Sequence, residues 1–339
     1  GSESWTRSYF DQVKNLPWQA DVYPTYLELS FSPICNFKCS YCSPHVSTAW
    51  HSEIREHGPY RLSQTTHQDV SALRRMGWMP IEDEENNPYI DAFWKWWPEA
   101  YKHLHVFRVT GGEPLLSKHT FRLLDWVYEN PQERLELDIN SNLGIPETVM
   151  EKFINRVSFI TGEKKVRALG LHTSLDNFGA RAEYIRNGLN FALFRRNVEN
   201  YLERIPNAQL SFMCTFNILS VDGFQEFLDY IIELRAKYQR AGRYINLDLP
   251  HLTGPEHLSV RVLTADYETK IEELLQYMKK NVGEDRASAA FRPMEIEKLK
   301  RILDWMRDHT DEKEKAKWRK DFHLYFKEHD RRRKTDFLK

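Results

Sequence analysis

Six short apolar runs, separated by helical stretches, constrain this chain more than any other feature. The runs are residues 26–31, 105–110, 135–140, 166–174, 209–216 and 244–249, rich in Leu, Val, Ile and Phe. Residues 120–129, 192–205 and 221–239 carry the helical pattern between them. Strands alternating with helices favour βα units, which give a parallel sheet with helices packed over it. Six units predict an α/β fold, a partial (βα)6 TIM-like barrel.

Two segments fall outside this rhythm. Residues 44–101 read as a helical insertion, with helix-like stretches at 65–76 and 88–102 around the acidic loop Glu82-Asp83-Glu84-Glu85. Beyond about residue 258 come three helices, 266–281, 293–309 and 312–330. The expected organisation is an N-terminal segment (1–24), the barrel (25–257, with the insertion) and a helical C-terminal extension (258–339). The last helix is densely charged, and Arg331-Arg332-Arg333-Lys334 reads as a solvated chain end.

Hydrophobic residues make up 41% and charged residues 29%, the balance of a soluble globular protein. No apolar run approaches the roughly 20 residues that span a bilayer, and the N-terminus lacks the basic start and apolar core of a signal peptide. A cytoplasmic protein with no membrane partner is expected. A net charge of −1 supplies no global field to attract nucleic acid, so no such partner is expected.

Three of the four cysteines fall within eight residues, which is not the pattern of a secreted disulfide framework. Cys35, Cys39 and Cys42 form a C-x3-C-x2-C array directly after the first strand run. Thiolates are soft ligands for iron and zinc. Three on one loop can grip three corners of a cubic cluster and leave its fourth iron without a protein ligand. A structural zinc wants a fourth protein ligand, and His45 is the nearest, so a Cys3His zinc site is the alternative.

The second strand runs into Thr110-Gly111-Gly112-Glu113-Pro114. Its glycines let the backbone approach a ligand closely, and its carboxylate offers an acceptor for an ammonium. Polar residues close the later strands: Asn140-Ser141-Asn142, Ser174-Leu175-Asp176, then Thr215 and Asn217, with Leu249-Pro250 ending the sixth. Singly, each polar residue reads equally well as a cap or turn. Together they collect at the C-terminal strand ends, where barrels of parallel strands place their sites.

The cysteine array, with Tyr41 just before its third member, resembles the motif of the radical S-adenosylmethionine (SAM) superfamily, and Gly111-Gly112-Glu113-Pro114 resembles that superfamily's GGEP motif. The stretch from Cys42 through Ser43, Pro44, Ser47 and Thr48 to Trp50, with Ser174-Leu175-Asp176 and residues 183–188, resembles the "twitch domain-containing" radical SAM proteins. The likeness runs from about Tyr26 onward. It implies one [4Fe–4S] cluster on Cys35, Cys39 and Cys42. It also implies SAM bound by Tyr41, Thr110, Gly111, Gly112, Glu113, Pro114, Asn140, Ser141, Asn142, Ser174, Asp176, Arg186, Thr215, Asn217 and Leu249. Glu113 would face the SAM amino group, and Ser174 and Arg186 its carboxylate. The activity implied is reductive cleavage of SAM to a 5′-deoxyadenosyl radical that abstracts hydrogen, fed by a single-electron donor such as flavodoxin or ferredoxin.

The reaction class (oxidoreductase, transferase or isomerase) stays open. The substrate read first is a small metabolite, such as a sugar or nucleotide-linked sugar. A peptide or protein side chain is second, with the C-terminal extension as its binding part. A non-catalytic metal-centre binding protein is third. The twitch resemblance has one departure: no cysteine follows Cys214, so no second cluster is expected. Cys214 is a candidate hydrogen donor if it points into the barrel, and otherwise a core thiol. Tyr41, His172 and Asp176 are alternative lumen groups. His45, Trp50, His51, Glu53, His57 and Tyr60 in the insertion match no tight metal spacing and are read as a helix with ordinary surface histidines, with part of the substrate pocket or its lid as the alternative.

Overall fold

The computed structural model describes residues 5–63, 68–81, 87–240, 242–285, 287–308 and 311–337. Strands are β1 (Tyr26–Ser30), β2 (Lys38–Cys39), β3 (Val106–Thr110), β4 (Gln132–Ser141), β5 (Val166–Ser174), β6 (Arg186–Asn187), β7 (Gln209–Met213) and β8 (Tyr244–Asp248). Helices are α1 (Trp5–Val13), α2 (Thr48–His57), α3 (Val70–Arg75), α4 (Pro88–Ala100), α5 (Lys118–Glu129), α6 (Glu147–Gly162), α7 (Gly179–Ile185), α8 (Phe191–Arg204), α9 (Phe224–Tyr238), α10 (Asp266–Lys280), α11 (Pro293–Met306) and α12 (Glu312–Arg333). The predicted acidic loop at 82–85 lies outside the described residues, as do 64–67, where the first insertion helix was expected to begin.

Six strands form one parallel sheet in the order β1-β3-β4-β5-β7-β8, flanked by helices. Each of β1 and β8 has one strand neighbour, so the sheet is not closed. The two strands missed in the sequence, β2 and β6, are two residues each and pair antiparallel, Cys39 opposite Arg186.

Alternation along the strands makes the two faces unlike. Phe107, Val109, Leu137, Ile139, Leu171, Leu210, Phe212 and Ile245 are fully buried on one face. They join one core with Leu124 of α5, Phe153 of α6, Phe194 of α8 and Ile231 of α9. Each such side chain contributes about 1.5–3 kcal/mol relative to exposure. The helices start where short polar side chains cap them: Ser117 accepts from the His119 N–H and Asn190 from the Leu193 N–H. The other face is polar across the sheet. Glu28, Arg108 and Asp138 stand side by side on β1, β3 and β4, and Asn140, His172, Ser211 and Asn246 on β4, β5, β7 and β8.

The edge at β8 is closed by side chains. Arg235 of α9 and Glu295 of α11 form a buried two-pronged ion pair. Arg235 also donates to the Ile245 carbonyl, while Glu295 accepts from the Leu247 N–H. This satisfies backbone groups that an edge strand otherwise leaves open.

The insertion and the C-terminal segment do not stand apart. Trp50, Ile54 and Tyr60 share a second apolar cluster with Leu258, Trp318, Tyr325 and Phe326. The expectation of a solvated chain end at 331–334 is overturned. Arg331 is exposed, but the side chains of Arg332 and Arg333 are 2% and 0% exposed and pair with Glu53 of α2. Among the described residues no helix is long and apolar enough to cross a membrane.

Candidate functional site

The cysteine loop follows β1 and is held backbone group by backbone group. Thr48 Oγ1 accepts from the Cys35 N–H. Ser47 Oγ donates to the Phe37 carbonyl while also capping α2 at the Trp50 N–H. Arg333 Nη1 donates to the Lys38 carbonyl at 2.7 Å, Trp50 Nε1 to Cys39 at 2.8 Å and the Tyr325 hydroxyl to Ser40 at 2.6 Å. The Ser40 N–H donates to the Ile185 carbonyl. Buried carbonyls require such partners, and here the partners come from α2 and α12.

Behind this loop Glu53 gathers Lys38, Tyr60 and Arg333. Burial works to raise its carboxyl, but Arg333, Lys38 and Tyr60 overcome it and hold it at about 2. The guanidinium groups lie over aromatic rings, Arg332 on Tyr60 and Arg333 on Trp50.

Cys39 is buried; Cys35 and Cys42 are half-buried. Burial pushes the Cys39 thiol up to about 11, with Arg186 pulling the other way, and the Cys42 thiol up to about 12. All three cysteines line one cavity of about 220 Å³ with Tyr41, Gly111, Gly112, Pro114, Asn140, Ser141, Asn142, Ser174, Arg186 and Thr215. Among the described residues no group of three or more His, Cys, Asp or Glu side chains is arranged to hold a metal ion. His45 hydrogen-bonds Ser43 at 2.7 Å and lines a separate cavity of about 110 Å³.

The glycines after β3, which line the cavity, also have a packing reason. A side chain at Gly112 would lie 2.3 Å from the Ile34 carbonyl oxygen, and one at Gly111, where φ is +120°, would lie 2.8 Å from that of Ser32. Both positions let this turn press against the lead-in to the cysteine loop, where the Glu113 N–H donates to Ile34. Glu113 does not face the cavity. Its carboxylate accepts from the Leu115 N–H, the Ser141 hydroxyl and the Asn142 N–H, tying the turn to the end of β4. Burial pushes it up to about 7 against those three donors.

Arg186 lines the cavity but has partners of its own. It bonds Asp176 at 2.9 Å, the Tyr41 hydroxyl at 2.6 Å and the Cys39 sulfur at 3.5 Å. Tyr41 in turn donates to Asp176, which also accepts from the Thr215 N–H. Asp176 is fully buried behind this wall. Asn142 reaches Asn36 and the Cys35 sulfur.

Cys214, Thr110, Asn217 and Leu249 are not brought to the cavity. Strand alternation turns Cys214 to the helix-covered side, where it is fully buried with its Sγ toward the Asp176 carbonyl. That placement corrects the hydrogen-donor expectation. Asn217 is spent on a turn with Thr215 and Leu219, Leu249 belongs to the core, and Thr110 stands beside Ser30 at the end of β3. Sequence reasoning missed Tyr325 and Arg333. Ser47, Thr48 and Trp50 lay within a quoted stretch, but an arginine run on a charged helix carries no signal of burial.

No protein-family model and no curated protein matches the chain. A solved structure described as "Native anSMEcpe with bound AdoMet" is similar over 76% of this chain and 62% of that one, with a TM-score of 0.44 and 15% sequence identity. The chain thus spans less than two thirds of that protein's length.

Proposed function

We propose that the chain is a radical SAM enzyme, with one [4Fe–4S] cluster on Cys35, Cys39 and Cys42 and the six-stranded sheet as its partial barrel. The observation that carries this reading is the meeting of three thiols of one loop, the Gly111-Gly112 turn and the strand ends Asn140 to Asn142, Ser174 and Thr215 around one cavity. The donor set fits. Three thiols without a fourth side chain suit an iron–sulfur cluster, whereas structural zinc takes four ligands and His45 is engaged elsewhere. Bound there, the cluster supplies the electron for reductive cleavage of SAM.

The chain's own residues position and shield. Glu113 sets the turn that forms one wall. Asp176 and Tyr41 fix Arg186 in the opposite wall, beside the Cys39 sulfur. Thr48, Ser47, Trp50, Tyr325 and Arg333 hold the loop. An adjoining cavity of about 380 Å³ on the polar sheet face suits a small metabolite. Within the C-terminal extension, α12 packs against the cysteine loop, while α11 lends Arg292, Met294, Glu295 and Lys298 to this cavity.

Anaerobic reconstitution followed by iron, sulfide and 5′-deoxyadenosine assays tests the proposal. The full chain is expected to take up iron and sulfide and to form deoxyadenosine from SAM, and Cys39→Ala to lose both. Zinc in place of iron and sulfide in protein purified without oxygen overturns it.

A further inference from the structure

Parallel sheets are ordinarily covered by apolar contacts on both faces. Here the face away from α5, α6, α8 and α9 carries Arg108, His172, Ser211, Asn246 and Asp248 around the cavity of about 380 Å³. Each of its acidic groups has a hydrogen-bonding partner. Asp138 lies 3.2 Å from His172 Nε2, Asp248 pairs with Lys298 of α11, and Glu28 accepts from the Tyr26 hydroxyl. Arg108 differs. Among the described residues it forms no ion pair; its Nε donates to Asn140 Oδ1 at 3.0 Å and its Nη2 to the Met213 sulfur at 3.2 Å. The carboxylates beside it in register, Glu28 and Asp138, are the two engaged with Tyr26 and His172.

A guanidinium set in a concave surface with no ion pair of its own is suited to a planar anion, which it can bond through two parallel N–H groups. Asn140, which orients Arg108, also lines the cavity of the three cysteines. The charged subsite therefore neighbours that cavity. Around it Ser211, Asn246 and the His172–Asp138 pair offer both donors and acceptors, a lining that matches hydroxyl groups.

We propose that the polar sheet face binds a small hydroxylated molecule carrying an anionic group, a carboxylate or a phosphate ester, with that group on Arg108. The assignment rests on the radical SAM reading only for what happens to the molecule; the binding itself does not require a cluster.

The test is isothermal titration of the full chain, purified under nitrogen, with sodium gluconate, glucose 6-phosphate and neutral sorbitol. At least one of the two anions is expected to bind saturably, sorbitol is not, and Arg108→Gln is expected to weaken the anion about tenfold or more. Preference between gluconate and the phosphate ester assigns the anionic group. Saturable binding of neither anion, or equal affinity in Arg108→Gln, overturns the proposal. Should that variant fail to fold, the wild-type chain decides: anion affinity indifferent to added sodium chloride overturns the assignment, since a charge–charge contact is screened by salt. Arg108-dependent binding in protein free of iron and sulfide would leave this inference standing while removing the cluster. An iron-loaded, deoxyadenosine-forming enzyme without such binding would do the reverse.

Discussion

At Gly112 a single added methyl group meets backbone on two sides, the carbonyl oxygens of Ile34 at 2.3 Å and Pro33 at 2.6 Å. Neither can move without shifting the cysteine loop. Gly112→Ala is therefore expected to cost about 1–3 kcal/mol, as overpacking does, measured by urea denaturation. Glu53 makes a prediction in pH. Its folded carboxyl is held near 2, below the ordinary 4.5. A depressed carboxyl contributes stability in full above its ordinary value and loses it as the pH falls through 4.5 toward 2. The stability gap between wild type and Glu53→Gln should be widest near neutrality and narrow below pH 4.5. A gap constant across that range would show that packing, and not the charge, makes Glu53 matter.

Among the elements, α12 has the most particular role. It places Tyr325 on the Ser40 carbonyl and Arg333 on the Lys38 carbonyl of the cysteine loop, and buries Arg332 and Arg333 against Glu53. Removing one partner of a buried pair typically costs about 3–5 kcal/mol. Arg333→Ala should fall in that range and should speed labelling of Cys39 by a thiol reagent. Arg331→Ala, two residues away and exposed, should change stability by under about 0.5 kcal/mol. α12 was legible as a helix, but its buried end was not. Charge periodicity reports composition along one strand of residues, whereas burial of Arg333 depends on Glu53 being folded 280 positions away in sequence. The strands of the sheet were legible because each is a short run rich in apolar residues, and that signal is local. β2 and β6, two residues each, have no periodicity to detect. The cysteine array was legible through spacing alone. The roles of Glu113 and Arg186 were not, because their partners Ser141, Asn142 and Asp176 arrive from other strands.

Over the whole molecule, two apolar clusters are knit by shared residues. Tyr41, Cys42 and Leu263 pack against both. The second cluster exists only when the insertion and the C-terminal segment are folded together. Unfolding in urea should then follow one transition, coincident by tryptophan fluorescence and by far-ultraviolet circular dichroism. Two separated transitions would contradict a joint core.

The hydrogen bond from Arg333 to Lys38 spans 295 positions, and the one from Tyr325 to Ser40 spans 285. A ribosome makes the cysteines early and these two partners late. Until α12 has been made, then, the cysteine loop lacks two of the donors that hold its backbone, and its folding is completed by a helix synthesised long after it.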